Sequence, residues 1–126
     1  MDKILVIDDS PVQTTFLCSI LKDDYELTAR HTAQEGLQAA REGGWSLILL
    51  DVVMPGMDGF QLIQALKADE ATRYVPVILI TSLADVQYEE RGLVLGAVDY
   101  VTKPFNPALI MARVNPQVQL YRYRTR

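Results

Sequence analysis

Cysteine, histidine and basic residues are all scarce in this chain. A single cysteine, Cys18, among 126 residues rules out any disulfide within it, and a reducing cytoplasm is the expected home. His31 is the only histidine, so it reads as an ordinary surface or half-buried residue and not as a phosphodonor or a member of a metal cluster. No apolar run approaches the roughly 20 residues that a spanning helix needs, and the first residues lack the layout of a secretory signal. No glycine-rich fingerprint follows the first apolar run, which disfavours a dinucleotide-binding domain. The formal charge of −4 is opposite to the basic footprint of a nucleic-acid binder, so no direct nucleic-acid contact is expected. Basic residues gather only toward the carboxyl end, at Arg113, Arg122, Arg124 and Arg126, and read as a solvated helix face. At 49% hydrophobic and 22% charged, the composition is that of a folded globular domain and not of a disordered chain.

What is present is an alternation. Residues 3–7 form a short apolar run closed by Asp8-Asp9, and Ser10-Pro11 sets a capping hydroxyl before a proline at the first helical position. Val12, Phe16 and Ile20 continue at helical spacing to about Lys22, with Cys18 expected as a small core residue of this helix. Residues 25–31 read as a second strand. Thr32-Ala33-Gln34-Glu35 is a capping box, and its helix ends at Gly43-Gly44. The continuous run Leu47-Ile48-Leu49-Leu50 reads as a strand buried on both faces, ending at Asp51. Asp58 or Gly59 starts a helix carrying Phe60, Ile63 and Leu66 on one face. A strand over 75–80 then ends at Thr81-Ser82. A helix from about Asp85 to Leu95 leads to a strand over 98–101 ending at Thr102-Lys103-Pro104, and Asn106-Pro107 opens the last helix. Strand and helix alternate five times with short connections. Right-handed crossovers make that an α/β fold, a five-stranded parallel sheet with helices on both faces. It reads as one domain over residues 1–122, with 123–126 a basic tail or the start of a linker.

Four of these strands end in chemically capable residues: Asp8 and Asp9, Asp51, Thr81 and Lys103. Parallel strands share a direction, so all of them fall on one rim, the edge where ligands bind in such sheets. Converging acidic oxygens suit a hard cation such as Mg²⁺. Asp8 and Asp9 leave a strand end in different directions, so one of the two is expected to bind metal directly. Lys103 supplies an ammonium for a phosphoryl group and Thr81 a hydroxyl donor. The set fits phosphoryl transfer onto Asp51, with the carboxylate attacking in line.

These residues resemble the response-regulator receiver domain of two-component phosphorelays. The likeness rests on Asp8-Asp9, on Asp51 followed by Met54-Pro55-Gly56-Met57-Asp58-Gly59, on Thr81-Ser82 and on Lys103-Pro104-Phe105. It implies a doubly wound, flavodoxin-like sheet of order 2-1-3-4-5 with five helices. It also implies Asp51 as phosphoacceptor, Mg²⁺ held by Asp9, Asp51 and the Val53 carbonyl with Asp8 assisting, and Lys103 on the phosphoryl group before a cis proline. Thr81 and Tyr100 become the residues that move on phosphorylation. The implied partners are a histidine kinase or histidine phosphotransfer protein as donor, a downstream effector or attached output domain, and a homodimer through the fourth helix, fifth strand and fifth helix. Met54 and Met57 are expected to shape a docking surface. Two alternatives stand beside this reading. A pseudo-receiver that works without phosphorylation is opposed by the intact Asp9, Asp51 and Lys103. A Mg²⁺-dependent aspartyl phosphatase is opposed by Val53, which stands where such enzymes carry a second acid.

Pro116 falls well inside the last helix, where a proline removes a hydrogen bond and crowds the Ala112 carbonyl. A kinked helix is expected, with a helix stopping near Val114 and an extended strand beyond it as the other readings. Val53, two positions after Asp51, and Leu83, two after Thr81, are apolar where a polar residue would orient an attacking water. A long-lived phosphoryl state is therefore expected. Phosphate loss followed in Val53→Asn and Leu83→Glu is expected to quicken, and unchanged or slower loss in both variants would refute the idea.

Overall fold

Side chains alternate across a strand, so a strand covered on both faces is apolar at every position. The third strand meets that condition, being buried throughout from Leu47 to Asp51. The computed structural model describes residues 1–54, 56, 58–82 and 86–125, the side chain of Val86 aside. Five strands, β1 (Asp2–Ile7), β2 (Tyr25–Arg30), β3 (Leu47–Asp51), β4 (Val77–Ser82) and β5 (Asp99–Lys103), make one parallel sheet in the order β2-β1-β3-β4-β5. The helices between and after them are α1 (Pro11–Leu21), α2 (Ala33–Arg41), α3 (Gly59–Ala68), α4 (Val86–Leu95) and α5 (Pro107–Arg124). This is the doubly wound order that the resemblance implies.

Alternation divides the core in two. Ile4, Val6, Leu49, Ile78 and Ile80 face one way, onto Leu17 and Leu21 of α1 and Ile110, Val114 and Val118 of α5. Leu5, Ile7, Ile48, Leu50 and Leu79 face the other, onto α2 and α3, with Tyr88 and Leu95 of α4 packed at the margin. The helix starts are set locally. Ser10 accepts from the Gln13 N–H, Thr32 from the Glu35 N–H, and Asn106 from the Ala108 and Leu109 N–H groups. The fully reciprocal capping box lies elsewhere, at Asp58 and Gln61.

Several boundaries differ from the sequence reading. β4 and β5 each run further toward the rim, because parallel pairing continues through Thr81↔Thr102 and Ser82↔Lys103 although these residues are polar. On α1 the buried positions are Thr14, Leu17 and Leu21, while Val12 and Phe16 are 80% and 45% exposed. The apolar spacing of Val12 and Phe16 therefore marks the outer face of α1, where Phe16 stacks on Phe105 with ring centres 6.0 Å apart. Cys18 is half-buried beside a groove between α1 and β2 instead of in the core, and burial pushes its thiol pKa up, away from nucleophilic thiolate. Asp85 and Arg126 lie outside the described residues.

Helix α5 neither stops near Val114 nor turns into a strand. It continues through Pro116 and past residue 122 to Arg124. Three attachments hold its second half: Val118 is buried in the core, the Tyr25 hydroxyl donates to Asn115 Oδ1, and Arg122 pairs with Asp2. Ala112 and Pro116 are both exposed, so water can satisfy the carbonyl that the proline leaves without an N–H. No helix among the described residues is long and apolar enough to cross a membrane. Pro116→Ala restores the missing N–H on a solvent-facing position, and urea unfolding is expected to show about 1–3 kcal/mol of added stability. No gain would mean that α5 has already absorbed the proline without cost.

Candidate functional site

Register decides what meets at the rim. Ile7 pairs with Leu50 and Leu50 with Leu79, so Asp8 leaves the sheet beside Asp51, and Thr81 follows one strand over. Thr81 pairs with Thr102, which brings Lys103 to the same edge. Carboxylate oxygens of Asp8, Asp9 and Asp51 lie within 4.8 Å of one another. Asp8 and Asp51 are buried and Asp9 is exposed.

Each buried carboxylate is fixed by its own backbone. Asp8 Oδ1 accepts the Ser10 N–H at 2.9 Å, and Asp51 Oδ1 accepts the Val53 N–H at 3.0 Å, two examples of the turn in which an aspartate bonds two residues onward. Lys103 Nζ donates to Asp51 Oδ2 at 3.2 Å. Lys103 and Pro104 are joined by a cis peptide. Asp8 Oδ2 and Thr81 Oγ1 are buried without a hydrogen-bond partner among the described residues. Burial pushes the Asp8 pKa up to about 6, and the neighbouring Asp51 charge adds to this, although the Ser10 N–H pulls the other way. An unpaired buried oxygen amid three oxygen-bearing groups is the donor set that a hard divalent cation takes, and the residues fit Mg²⁺.

The loop after Asp51 is held close to the sheet. The Gly59 N–H donates to the Val52 carbonyl at 2.8 Å, and a Cβ on Gly59 would meet Val52 Cα at 2.6 Å and the Asp51 carbonyl oxygen at 2.7 Å. Only glycine allows α3 to begin there. Met54 is buried in the core and not on a docking surface, because its side chain joins the cluster around Phe60. Pro55, Met57 and Leu83 lie outside the described residues. Val53 is exposed at the rim, and Tyr100 is half-buried one strand from Thr81.

Two contacts had no clear signal in the sequence. His31 Nδ1 lies 2.9 Å from the Asp8 carbonyl, so the lone histidine braces the turn into the site. Arg113 on α5 reaches Asp99 and Tyr100, although it reads as a solvated cation in the sequence. A third feature, the Asp58–Gln61 capping box, was open to reading from its spacing alone.

A profile described as the response regulator receiver domain matches residues 4–115. The transcriptional regulatory protein YkoG of Bacillus subtilis is 39% identical over 112 residues, covering 88% of this chain and 48% of that protein. The response regulator PleD of Caulobacter vibrioides is 39% identical over 113 residues, 89% of this chain and 25% of that one. The chain thus spans half or less of the length of these relatives. Among solved structures, the receiver domain of the sensor histidine kinase PA1611 from Pseudomonas aeruginosa is 28% identical with a TM-score of 0.85. The alignment covers 94% of this chain and 98% of that one, and magnesium is coordinated in that protein's active-site cleft.

The Asp8 shift gives stability a defined pH dependence. Its pKa rises from 3.8 to about 6 on folding, so between those values the folded state keeps a proton that the unfolded chain has lost. Stability therefore falls as pH rises through that window, by at most about 3 kcal/mol. Urea midpoints at about pH 5 and about pH 7.5 are expected to drop for the metal-free protein and to drop less for Asp8→Asn. Adding Mg²⁺ at the higher pH should recover stability in the wild type and much less in the variant. An unchanged pH slope in Asp8→Asn would refute this assignment.

Proposed function

We propose that this chain, which belongs to the response regulator receiver domain family, takes a phosphoryl group onto Asp51 from a phosphohistidine on a histidine kinase or histidine phosphotransfer protein. The observation that carries the reading is the state of the Asp51 carboxylate: buried at the rim, bonded to Lys103, and beside Asp8 and Asp9. Receiver domains bind Mg²⁺ at their acidic site. In this chain Asp9, Asp51 and the Val53 carbonyl would hold it with Asp8 assisting, and when bound it would offset the charge on the phosphoryl oxygens.

An Asp51 oxygen attacks phosphorus as the bond from phosphorus to the donor imidazole breaks, and the departing imidazole takes up a proton. Lys103 passes from Asp51 to a phosphoryl oxygen, trading one charge-assisted hydrogen bond for another. Thr81, whose hydroxyl is buried without a partner among the described residues, donates to a second phosphoryl oxygen. Exposed Val12 and Phe16 on α1, beside the Asp8-Asp9 turn, give a donor protein an apolar footing next to the reacting group.

The phosphoryl group then shifts a two-state equilibrium in which Thr81 and Tyr100 move. The face of α4, β5 and α5 carries the change to an effector, an attached output domain or a second copy of the chain. Exposed Val94, Val98 and Leu109 on those elements and their connections support that role. The chemistry ends on the protein itself, as phosphotransfer and later self-dephosphorylation, with no other substrate turned over.

Incubation with Mg²⁺ and acetyl phosphate, followed by intact-mass measurement, tests the reading. The wild type should gain one phosphoryl group and Asp51→Asn none, while Lys103→Ala should slow labelling on the order of a hundredfold. Equal labelling of the wild type and Asp51→Asn would defeat it.

A further inference from the structure

Arg113 does two things from one position on α5. Its Nη1 donates to both Asp99 oxygens, at 2.9 and 3.0 Å, and its guanidinium carbon lies 5.5 Å from the centre of the Tyr100 ring. Asp99 Oδ1 also accepts the backbone N–H of Tyr100, at 2.8 Å. The Arg113 and Asp99 side chains are 36% and 25% exposed, so the pair is partly shielded from water. A planar guanidinium can hold a carboxylate through its N–H groups and lie against an aromatic ring at the same time, which an ammonium cannot.

The two elements lie on opposite faces of the sheet. Tyr100 packs against the cluster covered by α2, α3 and α4, whereas α5 covers the other face. β5 is the edge strand, so Arg113 reaches the ring around the free edge of the sheet. A ring that leaves its present place loses its contact with the guanidinium. Thr81 Oγ1 has no hydrogen-bond partner among the described residues and Lys103 holds Asp51, as expected of a site that carries no phosphoryl group.

We infer that Arg113 is a positioning residue that restrains Tyr100 in its resting place, clasping the ring directly and its backbone through Asp99. The inference rests on the reading of Asp51 as phosphoacceptor and of Tyr100 as a residue that moves. Because Arg113 favours the resting state, it opposes phosphorylation of Asp51, at most by the factor by which it opposes the movement of Tyr100. Its polar and ring contacts are to Asp99 and Tyr100 and not to Asp51, so its influence passes through that pair.

Fluorine NMR of protein labelled with meta-fluorotyrosine, with the Tyr100 resonance assigned by Tyr100→Phe, reads the ring without any phosphodonor. In Arg113→Gln that resonance is expected to shift toward its position in the phosphorylated wild type, and labelling by acetyl phosphate to quicken about threefold. Asp99→Asn should act in the same direction, and the double variant should add little to the larger single effect, since both break one clasp. Arg113→Lys, which keeps the charge but loses the planar fork, should fall between wild type and Arg113→Gln. Urea midpoints confirm that each variant is folded. A wild-type resonance and a wild-type labelling rate in folded Arg113→Gln overturn the inference. A wild type that takes no label defeats the phosphoacceptor reading instead, and displacement or not of the donor-free Tyr100 resonance from its wild-type position, in Arg113→Gln and in Asp99→Asn alike, then decides for or against Arg113.

Discussion

Burying Asp8 beside Asp51 with one ammonium, that of Lys103, within reach is the constraint on which the rest of the rim depends. Among the described residues, Asp51 has the Val53 N–H and Lys103, whereas Asp8 has the Ser10 N–H and keeps one oxygen without a partner. The cost falls on Asp8, whose carboxyl resists ionisation. A divalent cation removes that cost, so metal binding and stability are linked at this point. The same arrangement suits the phosphotransfer proposed for Asp51: its partner Lys103 is a mobile donor on a neighbouring element and could follow the charge onto a phosphoryl group.

A crowded site of this kind holds together only if its supports are stiff. The sheet supplies that stiffness, since β1, β3 and β4 are buried on both faces where they approach the rim. Gly59 adds to it by letting α3 start against the backbone of Asp51 and Val52, closer than any side chain would permit. On the far side, α5 is fastened along its middle and at its last turn. Arg113 holds Asp99, Asn115 receives the Tyr25 hydroxyl, and Arg122 holds Asp2. These attachments offset the defect at Pro116 and tie α5 to β1, β2 and β5.

Much of the site was legible because its signals are local. A run of four apolar residues ending in Asp51 marks a buried strand that stops at a carboxylate, and Ser10-Pro11 and Asn106-Pro107 mark helix starts. Other readings failed where spacing had to stand in for packing. The spacing of Val12 and Phe16 marks the helix but not its inner face, which is the one bearing Thr14, Leu17 and Leu21. Met54 has the look of a surface methionine and is buried with Phe60. β4 and β5 run on through polar residues, since backbone pairing is indifferent to side-chain polarity once the register is set.

Taken alone, the order of the residues determined the alternation of strands and helices, the identity of the rim residues and the chemistry open to them. These follow from propensity, periodicity and donor type, which act over a few positions. Only the tertiary structure decided which carboxylate carries the burden of burial, that Arg113 reaches Tyr100 around the sheet edge, and that α5 continues through its proline. Each of these depends on contacts between segments far apart in the chain, and local pattern holds no record of such distances.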